Sequence, residues 1–132
     1  TVAGSPCIYY GTEIGLEGGF DPDCRRCMPW DEIEAGKYND RIEFIKRIIK
    51  LRKDIEAFKE IDIEYIYDID NDKVLHYVKK DSSGHKYHII LNCSNKDISY
   101  NAEGNILLSN KYENGLILKN GAVIYGEDKN NN

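Results

Sequence analysis

The hydrophobic period of the chain changes near residue 60, and this change limits the architectures open to it. Between Asn39 and Phe58, apolar residues recur at three- and four-residue spacing: Ile42, Ile45, Ile48, Ile49 and Ile55, with Arg52 in the same stripe. Phe44, Leu51 and Phe58 widen this face, while Arg41, Lys46, Lys50, Lys53 and Glu56 occupy the other. Asn39 or Asp40 supplies an N-cap, and no Gly or Pro interrupts the run until well past Lys59. The pattern predicts an amphipathic helix over about 40–58.

From Ile61 onward the period is two. Ile61, Ile63, Tyr65, Tyr67 and Ile69 alternate with Asp62, Glu64, Ile66 and Asp68, which predicts a half-buried strand. Asp70-Asn71-Asp72 reads as a turn, Val74 to Val78 as a strand, Ser82-Ser83-Gly84 as a turn, and Tyr87 to Asn92 as the next strand. Shorter candidates are Ile98 to Asn101, Ile106 to Leu108, Leu116 to Leu118 and Val123 to Tyr125. The last two flank Asn120-Gly121, a dipeptide that tolerates positive φ and predicts a hairpin turn. Six or seven short strands at this spacing predict a mainly β fold, an antiparallel β-sandwich.

The first third of the chain obeys neither period. Val2 to Tyr10 is a short apolar and aromatic run of the kind buried on both faces in a parallel sheet. Gly11 to Asp31 comes next as a long turn-rich stretch, with Gly15, Gly18, Gly19, Pro22 and Pro29 excluding a regular element. Structured loops of this length are uncommon without a function.

Charge and composition narrow the function classes. Eighteen Lys and Arg against 23 Asp and Glu leave a net charge of −5, which argues against binding a phosphate backbone, so no nucleic-acid partner is expected. No stretch approaches the roughly 18 apolar residues of a membrane-spanning helix, and no membrane partner is expected. The N-terminal residues lack the layout of a signal peptide, and a cytoplasmic location is expected. Opening on Thr1 rather than Met fits a proteolytic product or a trimmed chain. The polar tail from Glu127 to Asn132 reads as frayed.

Four cysteines, Cys7, Cys24, Cys27 and Cys93, include one C-x-x-C. A zinc site needs Cys7, Cys93, His76, His85 or His88 to converge on Cys24 and Cys27, yet there is no second C-x-x-C and no paired-histidine spacing. A redox pair belongs at the start of a helix after a strand, which Pro29 and Asp21-Pro22-Asp23 disfavour. The reading adopted is four reduced thiols, with no metal and no cofactor.

The pattern Gly4-x-Pro6-x-Ile8-Tyr9-Tyr10-Gly11-x-Glu13-x-Gly15, then Gly18-Gly19-x-Asp21-Pro22-Asp23-Cys24-Arg25-Arg26, then Met28-Pro29-Trp30-Asp31, resembles the α-amylase superfamily of glycoside hydrolases. Its nearest branch comprises neopullulanase, cyclomaltodextrinase and maltogenic amylase. Lys50-Leu51-Arg52-Lys53 in the helix matches the segment after the final barrel strand there, and the β-rich remainder resembles the C-terminal domain of those enzymes. Thr12 stands where Asp is common and Cys27 where Pro is common. The resemblance is specific over residues 4–31 and generic after about residue 60.

This resemblance implies a C-terminal portion: residues 1–59 as the last strand, loop and helix of a truncated (β/α)8 barrel, and 60–132 as the β-sandwich domain. Active sites of such barrels lie at the C-terminal ends of the strands, so the loop after Gly11 is expected at the substrate groove. Asp21 and Arg25 match the family positions that contact bound glucan, and a carboxylate with a guanidinium suits sugar hydroxyls. On residue type alone, the favoured reading is that Asp21 caps a turn and Arg25 makes a surface ion pair; the motif is what points to the sugar-contact role.

Catalysis does not carry over. Retaining glycoside hydrolysis needs two carboxylates about 5–5.5 Å apart, and the family's come from earlier barrel strands. Asp21, Asp23 and Glu13 lie on a glycine-rich loop and are not assigned that role, so no catalytic residue is expected and the chain alone is expected to be inactive. The expected partners are an α-glucan or maltooligosaccharide in the parent enzyme and the missing N-terminal barrel. Without flanking strands, residues 2–10 are expected to be displaced, disordered or paired with another copy. Two alternatives remain: a stand-alone carbohydrate-binding module stacking sugars on Tyr65, Tyr67, Tyr77 and Tyr87, and a cysteine-based metal-binding protein.

Overall fold

The computed structural model describes residues 1–67 and 73–128. The chain separates into two compact units, one comprising 5–50, the other 1–4 with 51–132. The elements in chain order are a 3-10 turn Asp23–Arg25, helix α1 (Trp30–Glu34), helix α2 (Asn39–Asp54) and a 3-10 turn Glu56–Phe58. After these come strands β1 (Glu64–Ile66), β2 (Val74–Lys80), β3 (Lys86–Asn92), β4 (Ile98–Ser99), β5 (Asn105–Glu113) and β6 (Leu116–Gly126).

Helix α2 forms where the 3.6-residue period predicts it. Its stripe is half-buried at Ile42, Ile45, Ile48, Leu51 and Arg52 and exposed along the charged side. The helix ends at Asp54 because Ile55 turns extended, at φ −103° and ψ 115°, and one 3-10 turn then drives Ala57 and Phe58 into full burial.

All pairings are antiparallel, and the fold is mainly β, as the period-two pattern predicts. The sheet runs β1-β2-β3-β6-β4, with β5 on the other edge of β6. Strand β6 joins both layers of the sandwich. Its first residues pair with β4, through Ile98 to Ile117, and its second half pairs with β3, through Ile90 to Val123. Between Asn110–Ala122 and Tyr112–Ile117, β6 inserts residues 118–121 opposite Lys111 alone. This bulge bends β6, and bulges are the usual device by which a strand changes sheets.

Asn120 and Gly121 therefore make a corner inside one long strand, not the predicted hairpin. The hairpin turn lies at Asn114-Gly115, both at positive φ. Asn120 is also left-handed, at φ 56°, which explains why the dipeptide carries a turn signal in both settings. Gly121 is required by space: a Cβ there would stand 2.7 Å from the carbonyl oxygens of Leu118 and Lys111.

The interlayer core joins Ile90, Val123 and Tyr125 to Ile117, with Val74, Ile98, Tyr100 and Tyr112 packed around them. Asn92 is buried among these strands and fully used. Its Nδ2 donates to the carbonyls of Lys96, Ile117 and Leu118, and its Oδ1 accepts from the Ser94 amide and hydroxyl. A buried amide is tolerated only when satisfied in this way.

The opposite face of β2, β3 and β6 is buried as well, through Tyr77, Ile89, Ile124 and Leu108 in one register row. Phe58 meets the Tyr87 ring edge-on at 5.5 Å on this face. Lys79 is fully buried and donates its Nζ to the Glu60 carbonyl; burial, then the nearby Arg52, holds its ammonium below the ordinary lysine range. Arg52 closes this side: it donates to the carbonyls of Val2 (3.0 Å), Gly4 (2.6 Å) and Phe58.

Several local expectations change. The strand expected over 61–69 shrinks to three exposed residues in β1, with Ile61 79% and Tyr67 81% exposed, because β1 is an edge strand with one neighbour. Its end at Asp68 and Ile69, the turn at 70–72, and the tail residues 129–132 lie outside the described residues. Strands β2, β5 and β6 run longer than their apolar cores, since ladder bonds continue through polar residues.

Residues 2–10 make no strand and are exposed throughout. This exposure counts against the expectation that the segment is displaced, disordered or paired with another copy, and the carbonyls of Val2 and Gly4 accept from Arg52. No described helix is long and apolar enough to cross a membrane.

Two substitutions probe these contacts through stability. Arg52→Lys keeps the charge but loses the fork that serves three carbonyls; at about 1.5–3 kcal/mol per charged hydrogen bond, urea unfolding should show a loss of at least about 1.5 kcal/mol. Gly121→Ala should cost about 1–3 kcal/mol by forcing Cβ against two carbonyls. An unchanged urea midpoint in either variant contradicts the assigned role.

Candidate functional site

The unit spanning 5–50 carries the loop in which the sequence places its sugar contacts. It begins with a tight turn: the amides of Ile14 and Leu16 both bond to the Gly11 carbonyl, at 3.2 and 2.8 Å. Gly11 lies at φ +86°, with a would-be Cβ 2.8 Å from the Leu16 Cβ, so a side chain is excluded both by backbone conformation and by space. Ile14 is buried beneath this turn. Glu13 is half-buried, and its Oε2 lacks a hydrogen-bond partner.

The loop itself is organised by Asp23. This carboxylate accepts from the Gly19 amide at 2.7 Å and takes a two-pronged contact from Arg26, Nε to Oδ1 at 2.9 Å and Nη2 to Oδ2 at 2.7 Å. The Arg26 guanidinium, then the Gly19 amide, holds the Asp23 carboxyl below its ordinary range, and Arg26 is pushed up in return. The Tyr10 hydroxyl donates to the Arg26 carbonyl at 3.2 Å. Backbone bonds from Asp23 to Phe20 (2.8 Å) and Arg25 to Pro22 (3.0 Å) complete the fold of the loop around a cis Asp21-Pro22 bond.

Asp21 and Arg25 meet on this frame. Arg25 Nη2 lies 2.9 Å from Asp21 Oδ2, and both side chains are more than half exposed. This is the surface ion pair that was weighed for Arg25 from sequence. One Asp21 oxygen and the remaining guanidinium N–H groups exceed what the single 2.9 Å contact uses, leaving groups able to accept from and donate to hydroxyls. Phe20, 96% exposed, precedes the pair directly.

Asp23 is the residue that sequence reading undervalued. Its signal was the Asp-x-x-Arg spacing to Arg26, which brings a carboxylate and a guanidinium together across one turn. With both oxygens occupied, Asp23 is a scaffold for the loop rather than a reacting group.

The other candidates disperse. Tyr77 is 2% exposed with its hydroxyl 2.6 Å from Thr1 Oγ1, and Tyr87 packs on Phe58, so only Tyr65 and Tyr67 of the four tyrosines present open rings. Cys7, Cys24, Cys27 and Cys93 are free and exposed. Among the described residues, no group of three or more His, Cys, Asp or Glu is arranged to hold a metal ion.

A cavity of about 640 Å³ lies in the β-rich unit, lined by Glu56, Glu60, Asp62, Glu64 and Asp81. Its acidic wall is largely committed elsewhere: Glu64 to Lys80 at 2.8 Å, Glu56 to Ser82 at 3.1 Å, and Asp81 to the turn at Ser83 and His85. Its wall includes one exposed ion pair, Glu64 with Lys80, comparable in length to that of Asp21 and Arg25.

Known proteins share this sequence and fold. A cyclomaltodextrinase of Geobacillus thermopakistaniensis is 43% identical over 96 residues, covering 73% of this chain and 16% of that enzyme. An intracellular maltogenic amylase of Bacillus subtilis is 58% identical over 50 residues, or 38% of this chain and 8% of that enzyme. The crystal structure of a maltogenic amylase from S. marinus superposes with a TM-score of 0.75 and 32% identity, over 94% of this chain and 17% of that one. No family profile matches the chain. The chain therefore spans a small fraction of these relatives, and it belongs with the C-terminal portion of the cyclomaltodextrinase, maltogenic amylase and neopullulanase branch of the α-amylase superfamily.

Proposed function

We propose that this chain is the C-terminal part of an enzyme acting on α-glucans, in which Asp21 and Arg25 hold the sugar and the β-sandwich steadies the barrel. The observation that carries this reading is the exposed Asp21–Arg25 pair on a loop locked by Asp23 and Arg26. Related enzymes bearing the names cyclomaltodextrinase and maltogenic amylase support the substrate class. In this reading residues 1–59 close the barrel and 60–132 form the appended domain. The exposed Ile8, Tyr9 and Tyr10 supply apolar surface for neighbouring barrel strands or for a second copy. A cytoplasmic location is supported by the relative described as intracellular.

The chemistry divides accordingly. A glucan hydroxyl donating to Asp21 and another accepting from Arg25 orients the chain of sugars without moving a proton. The carboxylates that protonate the leaving oxygen and attack the anomeric carbon belong to the rest of the barrel, because Asp23 is committed to Arg26 and Gly19. The isolated chain binds or braces; it does not cut.

Two outcomes test this. The purified chain should release no reducing sugar from cyclodextrin, starch or pullulan, and turnover that survives stringent purification would overturn the division of labour. In a protein joining this chain to a relative's barrel, Asp21→Ala and Arg25→Ala should each raise KM about tenfold or more, the loss of one charged hydrogen bond. Unchanged KM in both variants removes the sugar-contact role.

A further inference from the structure

The β-rich unit contains a second polar constellation that the glucan reading does not use. His76 of β2 and His88 of β3 lie diagonally across one rung on the interlayer face, since His76 pairs with Ile90 and Val78 with His88. His76 Nε2 is 3.0 Å from His88 Nδ1, and His88 Nε2 is 3.0 Å from Glu127 Oε1. The His88 ring stacks on Tyr125 at 4.7 Å and 3°, and the Tyr100 ring meets His76 edge-on at 5.8 Å. The Tyr100 and Tyr125 hydroxyls share a 3.0 Å hydrogen bond, so the histidines are enclosed by aromatic walls on the core side.

We propose that His76, His88 and Glu127 form an acid-sensitive clasp that fastens the end of β6 to β2 and β3 and opens when both imidazoles are charged. Glu127 accepts only, so His88 Nε2 carries the hydrogen, and His88 Nδ1 must accept from His76 Nε2–H. One added proton fits at His76 Nδ1 without breaking either bond. A second must go to His88 Nδ1, where it displaces the His76 hydrogen bond and sets two cations in contact. The clasp therefore tolerates one proton and rejects two, a coupled titration.

The surrounding charges are few and named. Lys86 of β3 lies 3.5 Å from Glu127, and Glu64 of β1, paired with Lys80 of β2, faces His88 from the far edge. Glu103, beyond β4, faces the Tyr100 and Tyr125 hydroxyls. Burial, then the His88 charge, holds His76 below the ordinary histidine range, and the His88 hydrogen bond holds Glu127 below the ordinary carboxylate range.

Both signs agree. The unfolded chain takes protons on His76 near pH 6.5 while the folded chain resists them, so stability is full above that pH and falls below it. Glu127 adds stability above about pH 4.5 that is lost as pH falls through its lower folded value. The last rung, Glu127 amide to Lys86 carbonyl at 3.0 Å, is the backbone bond the clasp protects.

Imidazole NMR on the 132-residue chain from pH 8 to 4.5 provides the direct test. The His76 resonance should titrate below the ordinary histidine range, with the His88 resonance shifting in the same step. A His76 titration at the ordinary histidine value, with no step shared with His88, would overturn the clasp. Urea midpoints between pH 7.5 and 5 supply the second arm: the wild-type midpoint should fall, His76→Gln should flatten the fall, and Glu127→Gln should deepen it. A fall of the same size in His76→Gln as in wild type contradicts the proposal. Where a variant fails to fold, the wild-type titration decides.

Discussion

The β-rich unit rests on one guanidinium. Arg52 reaches the carbonyls of Val2, Gly4 and Phe58 at once, tying the start of the chain to the turn after α2. By holding the Phe58 carbonyl, Arg52 fixes the 3-10 turn that presents Phe58 to Tyr87. By holding Val2 and Gly4, it brings Thr1 to the Tyr77 hydroxyl. A charged fork is suited to this because it meets several acceptors from one stem, whereas a lysine would meet them as a point charge. The burial of Lys79 depends on the same arrangement, since Glu60 lies just past the turn and offers it a carbonyl.

Much of this was legible in residue order. The change of period located α2 and the β-rich region, and the glycine and proline punctuation located the loop. Strand lengths were not legible, because β5 and β6 continue through Asn110, Lys111, Lys119 and Asn120, whose side chains carry no apolar signal. Asn120-Gly121 misled for a physical reason: left-handed φ and a bare Cα serve a bulge as well as a hairpin. The short, exposed β1 was hidden too, since alternation marks a pleated surface but does not say whether anything covers it. Arg52 stood in the apolar stripe of its helix, an anomaly of position that marks the pinning role in retrospect.

At the candidate site, the sequence pointed to Asp21 and Arg25 through a motif, whereas their contact and the dominance of Asp23 come from folding. The loop spends one acidic residue on its own shape and leaves the next ion pair open. In the proposed sugar-holding role, preorganisation of this kind lowers the entropy cost of binding, because the loop is ordered before a ligand arrives. The three nearby carboxylates differ in the same terms: Asp23 is engaged, Asp21 is paired, and Glu13 holds a buried oxygen without a hydrogen-bond partner.

The corner in β6 has a consequence for how the domain assembles. Its local pieces, the β2–β3 and β5–β6 hairpins, close over short loops and need little entropy to form. The β3–β6 ladder, by contrast, joins Ile90 to Val123 across a long stretch of chain. Because β6 belongs to both layers, neither layer can be completed before that distant pairing is made. The two halves of the sandwich are thereby bound into a single cooperative event whose pace is set by topology rather than by any one contact.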